Sequence, residues 1–192
     1  TTPDTWEVAL SSGADKREVW QRLLSENKLG ALALLRNLRN MAETKVPLPL
    51  IREGLDRMKT ERVLPFRFIA AARYATQWEP ELEKAMLRSL EGQEKLPGRT
   101  ALLVDVSGSM DAPLSRRAEM RRNAAAYGLA VLLREIAGSV SVYSFSDKLV
   151  RVPSRSGFAL RDAINASQPH HGTFLGQALQ QRPSATAHYQ EP

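Results

Sequence analysis

The chain has 192 residues, enough for one ordinary domain or two small ones with a real core. Hydrophobic residues make up 43% and charged residues 25%, which excludes wholesale disorder, and no apolar run reaches the roughly 18 residues that span a bilayer. The absence of cysteine excludes disulfides, thiolate zinc sites and cysteine nucleophiles, and fits a reducing, cytoplasmic compartment. Lys and Arg total 27 against 21 for Asp and Glu, a net charge of +6. Up to Arg99 there are 17 basic and 14 acidic residues, and beyond it 10 and 7. No basic tail or acidic block exists, so any basic surface has to be built by folding. The opening Thr1-Thr2-Pro3 carries no basic-then-apolar leader, and no secretory signal is expected.

Residues 1–97 read as consecutive short helices. Thr2-Pro3 leads into a first helix over Trp6 to Leu10. Asp15 and Glu18 form a capping-box pattern ahead of the apolar Val19, Trp20, Leu23 and Leu24. Leu29 to Met41 is the next helix, with Leu32, Leu35 and Leu38 as its apolar stripe. Pro47 to Lys59, Pro65 to Gln77 and Pro80 to Gly92 each open on proline and continue with helix formers. Trp6, Trp20, Trp78, Phe66, Phe68 and Tyr74 are assigned to the core. Six short helices suggest a helical array, although no repeat of fixed period is evident.

Leu96-Pro97-Gly98 marks a linker. Thr100 to Val104 is a continuous apolar run ending in Asp105, the pattern of a buried parallel strand. Ser115 to Ala137 reads as a long helix, basic at its start (Arg116, Arg117, Arg121, Arg122) and stopped by Gly138. Val140 to Phe145 and Lys148 to Val152 read as strands paired across a turn at Ser146-Asp147. Ala159 to Ala166 and Leu175 to Gln181 read as helices. Residues 98–181 thus form an α/β unit. Residues 182–192 show no periodicity and are expected to be an unstructured tail.

The chemistry-bearing motif is Asp105-Val106-Ser107-Gly108-Ser109, directly after the first strand. Ligands of open α/β sheets gather at the carboxyl ends of strands. One carboxylate and two hydroxyls, on a tight turn that Gly108 allows, suit a hard divalent cation such as Mg²⁺. Thr173, in the loop before the last helix, could add a third hydroxyl. The alternative is a strand-end turn in which Asp105 and Ser107 only cap the next helix. Arg36 and Arg39, with Asn37 and Asn40 beside them, are the first RNA-binding candidates, since guanidinium and amide groups suit phosphates and base edges. The competing account is a solvated polar face. The arginines at 116–122 read better as an exposed helix start, and His170-His171 as loop histidines. No base and orienting acid accompany Ser107 or Ser109, and no phosphate loop is present, so no enzyme is expected.

This constellation resembles a von Willebrand factor A domain with its metal-ion-dependent adhesion site. The wider context resembles one family. "TWEVALSSG", "EVWQRLL", "KLGALALLRNLRNM", "LPFRFIAAARY", "GRTALLVDVSGSM", "VYSFSDKLV" and "GTFLGQAL" occur in the order seen in Ro (TROVE) proteins, over roughly Thr5 to Gln181. The resemblance implies a helical-repeat, HEAT-like segment followed by a truncated, Rossmann-like von Willebrand A domain. It also implies Mg²⁺ at Asp105, Ser107, Ser109 and Thr173. Its implied partners are RNA, either small Y-like RNA or misfolded RNA in quality control, and in bacteria an exoribonuclease. No membrane and no DNA are expected.

The family continues before Thr1 and, after Gln181, with a strand carrying a further Asp. The resemblance therefore implies a fragment or an altered reading frame, a weak metal site, and a C-terminal half of about three strands with an open, association-prone edge. The rival functional readings are a metal-dependent protein-adhesion module and a non-functional truncated relic.

Overall fold

The computed structural model describes residues 6–11, 13–116 and 120–180. It contains two compact units, Thr1–Gln93 and Glu94–Pro192. The tail at 182–192, the Thr2-Pro3 cap and Arg117 lie outside the described residues.

The first unit is helical among its described residues: α1 (Trp6–Ser11), α2 (Lys16–Ser25), α3 (Ala31–Glu43), α4 (Leu48–Arg57), α5 (Phe66–Ala72), a 3₁₀ turn at Thr76–Trp78, and α6 (Glu79–Arg88). Asp15 caps α2, its Oδ1 accepting from Glu18 N at 3.0 Å. Both α2 and α3 end in Schellman turns. Lys28 N donates to Leu23 O and Asn27 N to Leu24 O, and Val46 N donates to Met41 O with Lys45 N to Ala42 O. The pivots, Asn27 and Lys45, stand at φ 52° and 57°. Asparagine tolerates that region well, whereas Lys45 is held there by the buried Val46 next to it.

Helices pack on the next but one, α2 on α4, α3 on α5 and α4 on α6, while α1 packs on α2 and α5 on α6. The core between them is built on Trp20, Leu38, Met41, Ile51, Leu55, Phe68, Trp78, Leu82 and Met86, all essentially inaccessible. Two sequence assignments differ. The buried face of α3 is Leu34, Leu35, Leu38 and Met41, while Leu32 is 41% exposed. Tyr74 is not core but 43% exposed, because α5 stops at Ala72, short of Gln77.

The second unit runs β1 (Leu96–Asp105), a 3₁₀ turn at Gly108–Asp111, α7 (Arg122–Ile136), β2 (Ala137–Phe145), β3 (Leu149–Arg151), α8 (Gly157–Asn165) and α9 (Leu175–Gln180). β1 and β2 are parallel, with Asp105 opposite Phe145, and β3 returns antiparallel to β2. The sheet order is β1-β2-β3, and α7 packs on both β1 and β2 as the crossover.

Four expectations differ from the structure. Leu96-Pro97-Gly98 is not a linker but the start of β1. Proline is tolerated because β1 is an edge strand, and Gly98, at φ 79°, absorbs the register shift between Leu96 and Arg99. That edge position also leaves β1 mostly exposed or half-buried, with Val104 its buried residue, rather than a fully buried strand. Gly138 stops no helix. It lies inside β2, where the ladder begins with Leu96 opposite Ala137. Finally, α7 starts at Arg122 rather than Ser115. Ahead of it the chain folds back, Pro113 bridging Arg121 and Arg122 N donating to Ala112 O at 3.0 Å. Arg116, Arg121 and Arg122 are therefore not one helical face.

Candidate functional site

Asp105 ends β1, and the parallel ladder carries one step further as Val106 N donates to Phe145 O at 3.0 Å. The chain then turns sharply. Asp105 Oδ1 accepts from Ser107 N at 2.8 Å, and the fully buried Ser107 places its Oγ 3.2 Å from Ser109 Oγ. One carboxylate and two hydroxyls thus share a single turn. Gly108 serves this turn by close approach rather than by unusual backbone angles. Its N donates to His171 O at 2.9 Å, and a Cβ there would stand 3.3 Å from His170 O.

The facing loop is anchored by the residues just after β2. Buried Ser146 accepts from His171 N at 2.9 Å and donates to Gly172 O at 3.0 Å, while its own carbonyl accepts from Phe174 N at 3.0 Å. Asp147 Oδ1 accepts from Gly172 N at 3.0 Å, and Oδ2 lies 2.8 Å from His171 Nδ1. These contacts bring the loop carrying exposed Thr173 to the same strand ends as Asp105. His170 and His171 are loop residues held by Asn165 O and Asp147.

Asp111 and Tyr127 also belong to this end of the sheet, and sequence reasoning did not single them out. Asp111 Oδ1 accepts from Asn123 Nδ2 at 2.7 Å, and its Oδ2 lies 3.7 Å from His170 Nδ1. Burial, reinforced by the charges of Asp111 and Asp105, pushes the Tyr127 phenol up to about 12. Ser146 and Asp147 carried a readable signal, a hydroxyl and a carboxylate directly after a strand. Tyr127 carried none, since only the α7 crossover brings it within reach of the Asp105 and Asp111 charges, while Asp111 lies in the turn just beyond the motif. Among the described residues no three His, Cys, Asp or Glu side chains form a metal cluster. A cation here would rest on one carboxylate and hydroxyls, a donor set suited to Mg²⁺ with several retained waters.

On α3, Arg36 and Arg39 are exposed one turn apart. Arg39 Nε meets Glu43 Oε1 at 2.9 Å, and its guanidinium stands 6.0 Å from the Tyr74 ring, with that of Arg73 at 5.8 Å. This is a basic face with an exposed aromatic at its centre. The two amides are used elsewhere. Asn37 Nδ2 donates to Ala33 O at 2.8 Å, and Asn40 Oδ1 accepts from the buried Trp20 Nε1 at 2.8 Å. Both asparagines are half-buried beside the exposed arginines.

Comparison with known proteins places this geometry in context. The family model described as the TROVE domain matches residues 1–125. Telomerase protein component 1 of Mus musculus is 37% identical over 75 residues, covering 36% of this chain and 3% of that protein. Its Rattus norvegicus counterpart is 36% identical over 75 residues, with the same coverage of 36% and 3%. Among solved structures, the Deinococcus radiodurans RO (RSR) protein matches with TM-score 0.57 at 20% identity, covering 82% of this chain and 36% of that one. The chain therefore spans a small part of these relatives, and the structural likeness is one of fold.

Proposed function

The chain belongs to the TROVE domain family, and from that premise we propose that it is a Ro-like, RNA-binding part of a ribonucleoprotein. The observation that carries the reading is the family match over residues 1–125, which takes in the whole helical unit. The surface in that unit best suited to RNA is the α3 face. Arg36 and Arg39 meet phosphates, and the Tyr74 ring between Arg39 and Arg73 accepts an unpaired base. The substrates are small non-coding, Y-like or misfolded RNAs, the role is RNA quality control in the cytoplasm, and an exoribonuclease is the protein partner.

The reading includes a HEAT-like helical repeat and a von Willebrand A-like α/β unit. Asp105, Ser107, Ser109 and Thr173 would hold Mg²⁺, supported by the convergence of the two serine hydroxyls at 3.2 Å. Bound there, the cation supplies an open coordination position for a carboxylate. Catalysis has no part in the proposal, since the partner of Ser107 Oγ is Ser109 rather than a general base.

Fluorescence anisotropy of a labelled RNA hairpin with a single-stranded end, over a range of salt, tests the RNA reading. Arg36→Ala with Arg39→Ala should weaken binding and flatten the salt slope by about 0.7–0.9 per lost phosphate contact. Unchanged affinity and slope would remove this face from the reading. A second function, metal-dependent capture of an acidic protein, is favoured by the Asp105–Ser109 turn. Calorimetric titration tests it. Weak Mg²⁺ binding that disappears in Asp105→Ala supports it, whereas tight binding that survives the substitution refutes the ligand assignment.

A further inference from the structure

β3 is much shorter than the strand it pairs with. It matches only Tyr143–Phe145 of β2, and Val152 N makes one more bond, to Val142 O at 2.9 Å, before the chain leaves the sheet. A cavity of about 300 Å³ opens beside the remainder of β2. Three arginines line it: Arg134 from the last turn of α7, Arg151 at the end of β3, and Arg155 in the loop leading to α8. Ser141 and Ser154 add hydroxyls, while Val140 and Pro153 form an apolar wall. The described residues lining the cavity include no Asp or Glu.

Three arginines on one hollow concentrate positive charge where an anion can be shared among them. Their planar donor forks match phosphate oxygens two at a time, and the serine hydroxyls can donate as well. The volume sits at the low end of the range for small-molecule pockets, roughly 300–1,000 Å³. It suits a single nucleotide unit better than a longer segment. The apolar wall gives a sugar or base a surface that inorganic phosphate cannot use.

We propose that this cavity binds a nucleoside phosphate, its phosphate held by Arg134, Arg151 and Arg155 and its nucleoside against Val140 and Pro153. The site is independent of the α3 face. The ligand is either a free nucleotide or the phosphorylated end of an RNA strand.

The test is calorimetric titration of the full chain with AMP, with inorganic phosphate, and with a short 5′-phosphorylated oligoadenylate. AMP should bind saturably and more tightly than phosphate. Arg155→Glu, at an exposed loop position, should weaken AMP binding about tenfold, as loss of a charge-assisted contact does. Circular dichroism of that variant should match the parent. Arg36→Ala with Arg39→Ala should leave AMP binding unchanged. In that doubly substituted background, an oligoadenylate tighter than AMP assigns the site to an RNA end, and equal affinities assign it to free nucleotide. AMP that fails to saturate, phosphate that binds as tightly as AMP, or Arg155→Glu that binds like the parent would each overturn the proposal.

Discussion

Asn40→Ala separates a structural asparagine from an RNA-reading one. Trp20 is fully buried, and its indole N–H has Asn40 Oδ1 as acceptor at 2.8 Å. Removing that acceptor leaves a buried donor unpaired, which costs roughly 1–3 kcal/mol. Asn40 itself is only half-buried, so water can reach the vacated position, and the loss should fall at about 1–2 kcal/mol. For a unit of this size each kcal/mol moves the melting temperature by about 4–8 °C, giving a drop of order 5–15 °C. Trp6 stacks on Trp20 at a centroid distance of 6.2 Å, so tryptophan fluorescence reports on the same place. Urea and thermal unfolding followed by that signal measure the change. Asn40→Asp, which keeps an acceptor, should recover most of it. If Asn40→Ala kept parental stability and lost RNA affinity, the residue would face RNA and the structural assignment would be wrong.

Gly54→Ala sets helix propensity against packing in α4. Alanine gains about 1 kcal/mol of propensity, but its Cβ would stand 2.9 Å from Leu24 Cδ2 and 3.5 Å from Leu34 Cδ2, both buried. Overpacking of that kind costs about 1–3 kcal/mol, so denaturant unfolding should show a net loss, and a gain in stability would refute the close approach. Tyr127 governs alkaline behaviour. Its phenol is raised to about 12, so the folded protein holds that proton more tightly than the unfolded chain. Below about pH 10 both states are protonated and this group costs no stability, and as pH rises from there through the folded value the stability is lost. Tyr127→Phe should abolish that component of alkaline unfolding, and a phenol found by ultraviolet titration near 10 would contradict the buried, carboxylate-flanked environment.

What the sequence determined by itself is what short-range chemistry controls. Asp15 with Glu18 announces the start of α2 because an N-cap bonds three residues ahead. Apolar runs ending in Asp105 and Phe145 announce strands, and Ser146-Asp147 announces the reversal between β2 and β3. The motif order pointed to the TROVE family, which the family model matches over residues 1–125. Tertiary structure decided the rest. Pro97 and Gly138 look like breakers until pairing makes β1 an edge strand and sets Ala137 opposite Leu96. Tyr74 reads as core until α5 ends early and leaves it between two arginines at the surface. Asn40 reads only as an amide beside two arginines until the fold brings Trp20, 20 positions earlier, to donate to its oxygen. Tyr127 comes within reach of the Asp105 and Asp111 charges only through the α7 crossover. Caps and turns are closed by neighbours within about five residues, so their codes are local. Edges, burial and the meeting of polar groups depend on which distant segments pair, and no residue carries that information alone.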